Sequence, residues 1–286
     1  MAEPTAAERA ADFGYTLAFF KSVPELNSLL QRAIKDTYST SRFVAELQNT
    51  KWFRKSSEPY RKYVVLRASD PASFKQRLTA TTEHVTQLGR QLGAQLDSTN
   101  ARRLADQAMQ LGWTDEQLTS ALSMRLTAVN GEFRGQAGAF QSQVNALAKE
   151  YGVDVGRVWV RSKARASLTG AATTESIRAE LARLAQSKYV ALAERIKGGE
   201  TVREIADPYI QSMTKLLEIN GQNVTLNDPL IQKALQSRDP KGQPTTQTLY
   251  EFEQVLRNDA RWARTKNAQD QMSSTANEVL KTFGLR

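Results

Sequence analysis

Leu29-Leu30-Gln31-Arg32-Ala33-Ile34-Lys35-Asp36-Thr37-Tyr38-Ser39-Thr40-Ser41-Arg42-Phe43-Val44-Ala45-Glu46-Leu47 is the stretch that decides the fold class. Leu29, Leu30, Ala33 and Ile34 recur at helical spacing, and after a polar turn Phe43 and Leu47 do so again. Ser39, just before the second apolar face, is a residue type that accepts from the backbone N–H groups left without partners at a helix start. The pattern predicts two packed helices joined by a turn closed on an aromatic residue. It returns without a gap at Leu104, Ala105, Ala108, Met109, Trp113, Thr114, Leu118 and Leu122.

Two weaker copies follow. Ala191, Leu192, Ile196, Thr201 and Ile205 keep the spacing, with Gly198-Gly199 in the turn, Glu200 in place of the aromatic, and Pro208 expected to end the second helix. Towards the C-terminus, Pro229-Leu230-Ile231 with Leu235-Gln236 matches Pro24-Glu25-Leu26 with Leu30-Gln31. Phe252, Leu256, Asn258 and Trp262 match Phe43, Leu47, Asn49 and Trp52 with one residue inserted, and Arg264 matches Arg54. This suggests an internal duplication of the two ends. Repeated helical units build scaffolds and binding surfaces more often than catalytic pockets.

Composition agrees. The 286 residues contain few Gly or Pro and much Ala, Gln, Leu, Arg and Glu, a mix that favours helices. Only Tyr63 to Leu66 and Val155 to Val160 stand out as short β-branched stretches, and both sit beside helical patterns, so they read as helix or loop. The chain is expected to be all-α: small helical-hairpin modules joined by long helices into an elongated protein. With 40% hydrophobic residues and a mean hydropathy of −0.51, its cores should be small and its surface large. No Cys is present, which excludes disulfides and thiolate metal sites, and His84 is the only histidine, which excludes His-rich metal sites. No secretory signal or membrane span is expected, and no cofactor. The net charge of +9 points to an anionic partner such as nucleic acid or an acidic protein face.

Breaks in the pattern divide the chain into residues 1–69, a Trp-anchored helical module; 70–169, a long helix plus helical hairpins; and 170–286, a helical module with a Trp-anchored end. Asp70 should cap the long helix, about residues 72–96. Its many Gln and Thr residues suggest a solvated spacer or an oligomer-forming helix. The strongest loop signal is Arg238-Asp239-Pro240-Lys241-Gly242-Gln243-Pro244, and a terminal helix is expected over residues 259–282.

Three constellations carry possible chemistry. Ala148, Gly152, Val153 and Val158 have helix-turn-helix spacing, as do Ala108, Gly112 and Leu118. Arg157, Arg161, Lys163 and Arg165 follow the first set with no acid among them, on what would be the recognition helix, where Trp159 could stack or wedge. Any tight hairpin needs the same small residues. The segment 51–77 carries eight Lys/Arg, with Lys51, Arg54, Lys55, Arg61 and Lys62 interleaved among Trp52, Phe53, Tyr60 and Tyr63. That suits single-stranded nucleic acid, or a core tryptophan rimmed by arginine stems; the matched Trp262-Ala263-Arg264 favours packing. Trp52, Trp113 and Trp262 are therefore expected as structural anchors, each costing about 3–5 kcal/mol if buried and truncated to Ala. Glu46, Glu204 and Glu253 lie beside apolar faces, as a glycosidase acid would, without the surrounding pattern of such a cleft. His84 reads as a surface residue.

The run Phe43-Val44-Ala45-Glu46-Leu47-Gln48-Asn49-Thr50-Lys51-Trp52-Phe53 followed by Asp70-Pro71 resembles a recurrent module in virion proteins of actinobacterial tailed bacteriophages. So does the run from Asp207-Pro208-Tyr209 through Leu216-Leu217-Glu218, Asp228-Pro229 and Leu249-Tyr250-Glu251-Phe252 to Arg261-Trp262. The resemblance spans most of the chain and implies a non-enzymatic minor structural protein of the virion, internal or at the portal, neck or tail. Other virion proteins and further copies of the chain would be its partners, with packaged DNA as a possible contact. The alternative is a helix-turn-helix DNA-binding protein, a packaging subunit or regulator. A peptidoglycan hydrolase is the third reading.

Overall fold

The computed structural model describes residues 5–284, apart from the side chain of Gln222. The chain is all-α: among the described residues, seventeen α-helices accompany a single two-stranded ribbon. It divides into two compact units, Met1–Gly138 and Ala139–Arg286.

The first unit holds α1 (Ala6–Asp12), α2 (Leu17–Ser22), α3 (Pro24–Lys35), α4 (Thr40–Asn49), α5 (Lys51–Lys55), α6 (Glu58–Ser69), α7 (Pro71–Leu92), α8 (Ser98–Leu111) and α9 (Asp115–Ser123). Helix α10 (Gly135–Glu150) contains the boundary. The second unit continues with α11 (Arg157–Ser167), α12 (Thr174–Lys188), α13 (Ala193–Lys197), α14 (Val202–Leu217) and α15 (Pro229–Leu235). The ribbon β1 (Ser237–Arg238) and β2 (Pro244–Thr245) follows, then α16 (Leu249–Arg257) and α17 (Lys266–Thr282). The two strands pair antiparallel across the loop marked by Asp239-Pro240, with Ser237 opposite Thr245.

The repeated hairpin is a specific backbone turn that occurs four times among the described residues. A residue with left-handed backbone stands at Gly14 (φ 82°), Thr37 (φ 48°), Gly112 (φ 63°) and Gly199 (φ 105°). The next amide, of Tyr15, Tyr38, Trp113 or Glu200, donates back to the carbonyl of Ala10, Ala33, Ala108 or Arg195 at 3.0–3.2 Å, which closes the preceding helix. The residue after that, Thr16, Ser39, Thr114 or Thr201, caps the following helix through its hydroxyl. The copy at Gly14-Tyr15-Thr16 goes beyond the repeats read from sequence. Thr37 adopts the left-handed conformation without being glycine, at a cost of about 1–2 kcal/mol.

In the first unit, α1 to α4 enclose an aromatic cluster. Phe13 stacks on Phe43 at 3.9 Å between ring centroids, and Phe20 meets Phe43 edge-on at 5.7 Å. Asp70 caps α7 by accepting from the Ser73 amide at 2.9 Å. Helix α7 is a core element rather than the expected spacer: Leu78, Val85 and Leu92 are buried, and the helix packs on α6, α8 and α9. The three expected segments accordingly become two units, because burying that stripe ties α7 to its neighbours on both sides in sequence. In the second unit, Tyr189 is the largest fully buried side chain. Pro208 lies inside α14 and does not end it. The helix continues because Ile210, Met213 and Leu217 beyond it are buried in the core.

The end-to-end match takes a different form from the one the tryptophans suggested. Glu25 on α3 accepts from the backbone N–H groups of Lys51 and Trp52, both at 2.8 Å, at the start of α5. Glu218, following α14, accepts from those of Lys266 and Asn267, at 2.9 and 2.8 Å, at the start of α17. The caps of these helices are buried threonines used identically. Thr50 donates to the Leu47 carbonyl and accepts from the Phe53 amide; Thr265 donates to the Trp262 carbonyl and accepts from the Ala268 amide. The equivalent pairs are therefore Thr50-Lys51 and Thr265-Lys266. Trp52 follows its cap by two residues, whereas Trp262 precedes its own by three.

Candidate docking groove, basic helix and C-terminal helix

An open apolar groove of about 440 Å³ lies among α2, α5 and α6, with Tyr15, Phe19, Trp52, Phe53, Val65 and Leu66 in its walls. The N-terminal clamp from Glu25 and the Thr50 cap fix α5, which carries Trp52 and Phe53 into place. Trp52 meets Phe19 edge-on at 5.8 Å. The Arg61 guanidinium lies 4.1 Å from the Phe53 ring centroid and donates to the carbonyls of Phe53, at 3.2 Å, and Ser56. One face of Phe53 is thus covered by a cation, which leaves it unavailable to a base, and that cation is itself held by the backbone. Arg54 donates to Asn49 at 2.9 Å, and Lys62 pairs with Glu58 at 2.7 Å. Lys51, whose charge acts on Glu25, and Lys55 are exposed. The groove has the features of an apolar protein-docking site more than those of a single-strand binding channel.

Trp52, Trp113 and Trp262 are each partly exposed. Trp52 and Trp262 pack at the margins of their cores, whose centres are taken by Phe19, Phe20 and Phe43 in one unit and by Tyr189 and Phe252 in the other. They flank the cores rather than anchor them from within. The Trp262 indole N–H and the Gln247 side-chain oxygen are buried without a hydrogen-bond partner.

Basic residues on α11 are differently placed. Val160 and Ala164 are buried, while Val158 is 74% exposed. The helix-turn-helix spacing requires Val158 to face the preceding helix. Four residues, 153–156, separate the Gly152 turn from the first residue of α11, and this linker sets the helix phase so that Val158 turns outward. Arg157, Arg161 and Arg165 succeed one another at four-residue spacing along one side of the helix. Lys163 is bound to Glu180 of α12 and lies 5.2 Å from the Trp159 ring, and Trp159 itself packs on the core. In the other hairpin of this spacing Ala108 and Leu118 are buried as required, but its second helix opens with Asp115 and Glu116, a poor face for phosphate.

Two of the three acids considered as catalysts have structural partners. Glu204 closes a capping box with Thr201, and Glu253 accepts from the Ser212 hydroxyl at 3.0 Å; Glu46 is half-exposed on α4. Several carboxyls titrate below their ordinary range for the same kind of reason. Glu25 is lowered first by the Lys51 amide and then by that of Trp52, Glu251 by the Thr248 amide, and Asp97 by the Asn100 amide. His84 is exposed, with Nε2 2.9 Å from Asp115. A cavity of about 950 Å³ beside the Gly152 turn is lined by charges of both signs, Lys149 and Arg203 against Glu150 and Asp154. Among the described residues no cluster of three His, Asp or Glu is placed to hold a metal, and no helix is long and apolar enough to cross a membrane.

Helix α17 is held over its first turns, where Arg257 of α16 also donates to the Gln271 side chain at 3.0 Å. Besides the Glu218 clamp, Asn267 donates to the Lys215 carbonyl at 3.0 Å and Ala268 is buried. Every described residue from 269 onward is exposed, including Met272, Val279, Leu280 and Phe283. Neither the clamps nor this stripe was singled out in the sequence reading, although the stripe has a clear helical period.

Compared with protein families, characterised proteins and solved structures, the chain matches none.

Proposed function

We propose that this chain is a non-enzymatic structural protein of a tailed bacteriophage virion. It would be present in several copies, internally or at the portal, neck or tail, and would contact other virion proteins and, through the arginine side of α11, packaged DNA. The observation that carries the structural reading is where the molecule leaves apolar surface uncovered. The stripe Met272, Val279, Leu280 and Phe283 on α17 is exposed and the groove at Trp52 is open. Meanwhile Glu204 and Glu253 are engaged in capping and core contacts. Uncovered apolar faces of this kind mark protein contact sites. The virion assignment is supported by the resemblance of residues 43–53 and 207–262 to phage structural modules.

Quantitative mass spectrometry of purified particles tests it. Presence at a fixed stoichiometry through successive purification steps is the expected result. Absence from particles, with abundance in infected cells, would overturn the reading in favour of a packaging or regulatory factor.

A further inference from the structure

The exposed stripe of α17 has a sharper period than an ordinary amphipathic face. Thr265, Gln269, Met272, Ala276, Val279 and Phe283 are separated by alternating steps of four and three residues, the seam along which one helix packs against another in a coiled coil. At 17 residues the helix is about 25 Å long. Residues 269–284 of this seam are bare.

We propose that α17 is the surface through which copies of this chain associate, its seam packing against the same seam of a second copy. Charge selects this occupant. Along the bare part of the seam, residues 269–284, the bordering positions are Ser273, Thr275, Leu280 and Thr282; the charged border residue Lys266 stands at the clamped start beside Thr265, while Asp270, Glu278 and Lys281 lie on the far side of the helix. Identical helices bring like residues together, so charged borders would repel and these uncharged ones do not. The far side carries acids as well as a lysine, unlike the basic face of a helix that lies on an anionic lipid surface or follows phosphates. Gln269 is the polar residue within the bare part of the seam, the device that fixes register at some cost in affinity.

Area sets the strength. The uncovered parts of the four large side chains amount to on the order of 400 Å² per helix, about half of the ~800 Å² per partner of a standard stable interface. Association through α17 is therefore weak in dilute solution and favoured where copies are held side by side. The inference rests only on the several-copy part of the proposed function. Absence from particles would remove that function and leave self-association to be decided by the experiment below.

The chain has no Cys, so Ala276→Cys, at the middle of the seam, places one thiol per copy where two helices would meet, and Ser274→Cys places one on the far side. Under mild oxidation of the full-length protein, Ala276→Cys is expected to yield disulfide-linked dimer and Ser274→Cys only background. Val279→Lys in the Ala276→Cys background should abolish the dimer. Because that lysine could simply unwind the helix, Gln269→Leu supplies an opposite test: sedimentation equilibrium should show about tenfold tighter association. Equal cross-linking at both positions, or a monomer at every concentration in wild type and Gln269→Leu alike, would overturn the proposal. So would a monomeric chain that needs α17 to bind a different protein.

Discussion

The Tyr189 hydroxyl donates to the carbonyl oxygen of Gly152 at 3.0 Å, and a Cβ on Gly152 would lie 2.5 Å from that same hydroxyl. The two residues define one corner of the second unit: Gly152 has a left-handed backbone, φ 61°, and the fully buried Tyr189 fills the space its missing side chain leaves. Gly152→Ala combines backbone strain with a clash against a packed aromatic and should cost about 2–4 kcal/mol. Tyr189→Phe keeps the packing and removes the bond, and should cost about 1–2 kcal/mol. Urea unfolding of the two variants checks both the magnitudes and their order.

The aromatic cluster of the first unit should outweigh its partly exposed Trp113. Phe43 is fully buried and stacked on Phe13, so Phe43→Ala is expected to cost about 3–5 kcal/mol. Trp113 is partly exposed, and Trp113→Ala should cost about 1–2 kcal/mol, with the lost area scaled at ~25 cal/mol per Å². Equal losses in denaturant titrations would contradict the partial exposure of Trp113.

Acid should weaken the fold through its helix starts. Glu25, Glu251 and Asp97 titrate lower in the folded chain than unfolded because backbone amides hold their charged forms. The unfolded chain therefore takes up protons first as pH falls. The stability these groups supply is complete above the ordinary carboxylate range and is lost as pH drops through that range to their lowered folded values. Thermal midpoints should be level near neutrality and fall in acid. Glu25→Gln, which can accept only one of the two amides in place of a charge, should be less stable at neutral pH and show a shallower acid decline. An unchanged acid slope in that variant would show that the clamp adds nothing.

The proposed contact of α11 with DNA would have a salt signature. Arg157→Ala together with Arg161→Ala removes two cations from one side of the helix and should reduce the slope of log affinity against log salt by about 2 for duplex DNA. Sequence preference should be absent, since the outward Val158 leaves α11 without the packing of a recognition helix. Fluorescence anisotropy across a salt series measures both, and an unaltered slope would take this helix out of any DNA contact.

What the sequence made legible was local. Ser39 and Thr114 could be read as caps because capping is decided within four residues of chain. The companion turn at Gly14-Tyr15-Thr16 escaped notice because α1 and α2 are seven and six residues long, too short to show an apolar period. The seven-residue recurrence of Leu78, Val85 and Leu92 is masked by the many Gln and Thr around it, a composition that reads as a solvated helix. The Glu25 and Glu218 clamps join residues 26 to 49 positions apart, a separation that leaves no local trace. Of the candidate sites, the arginine spacing on α11 was visible, whereas its helix phase depends on residues 153–156, whose path no periodicity describes. The tryptophan match was a true similarity of composition, displaced in structure because each tryptophan sits on the opposite side of its cap.

The four left-handed turns have a kinetic meaning. Each is closed by one bond between residues five apart and by a cap on the following residue, so its geometry is settled without waiting for any distant part of the chain. Corners with such short loops form on the timescale of local loop closure, and chains dominated by them fold quickly for their length. The first three lie within residues 10–114 and can be set while the rest of the protein is still being synthesised. A protein made this way has its corners formed before its distant contacts close.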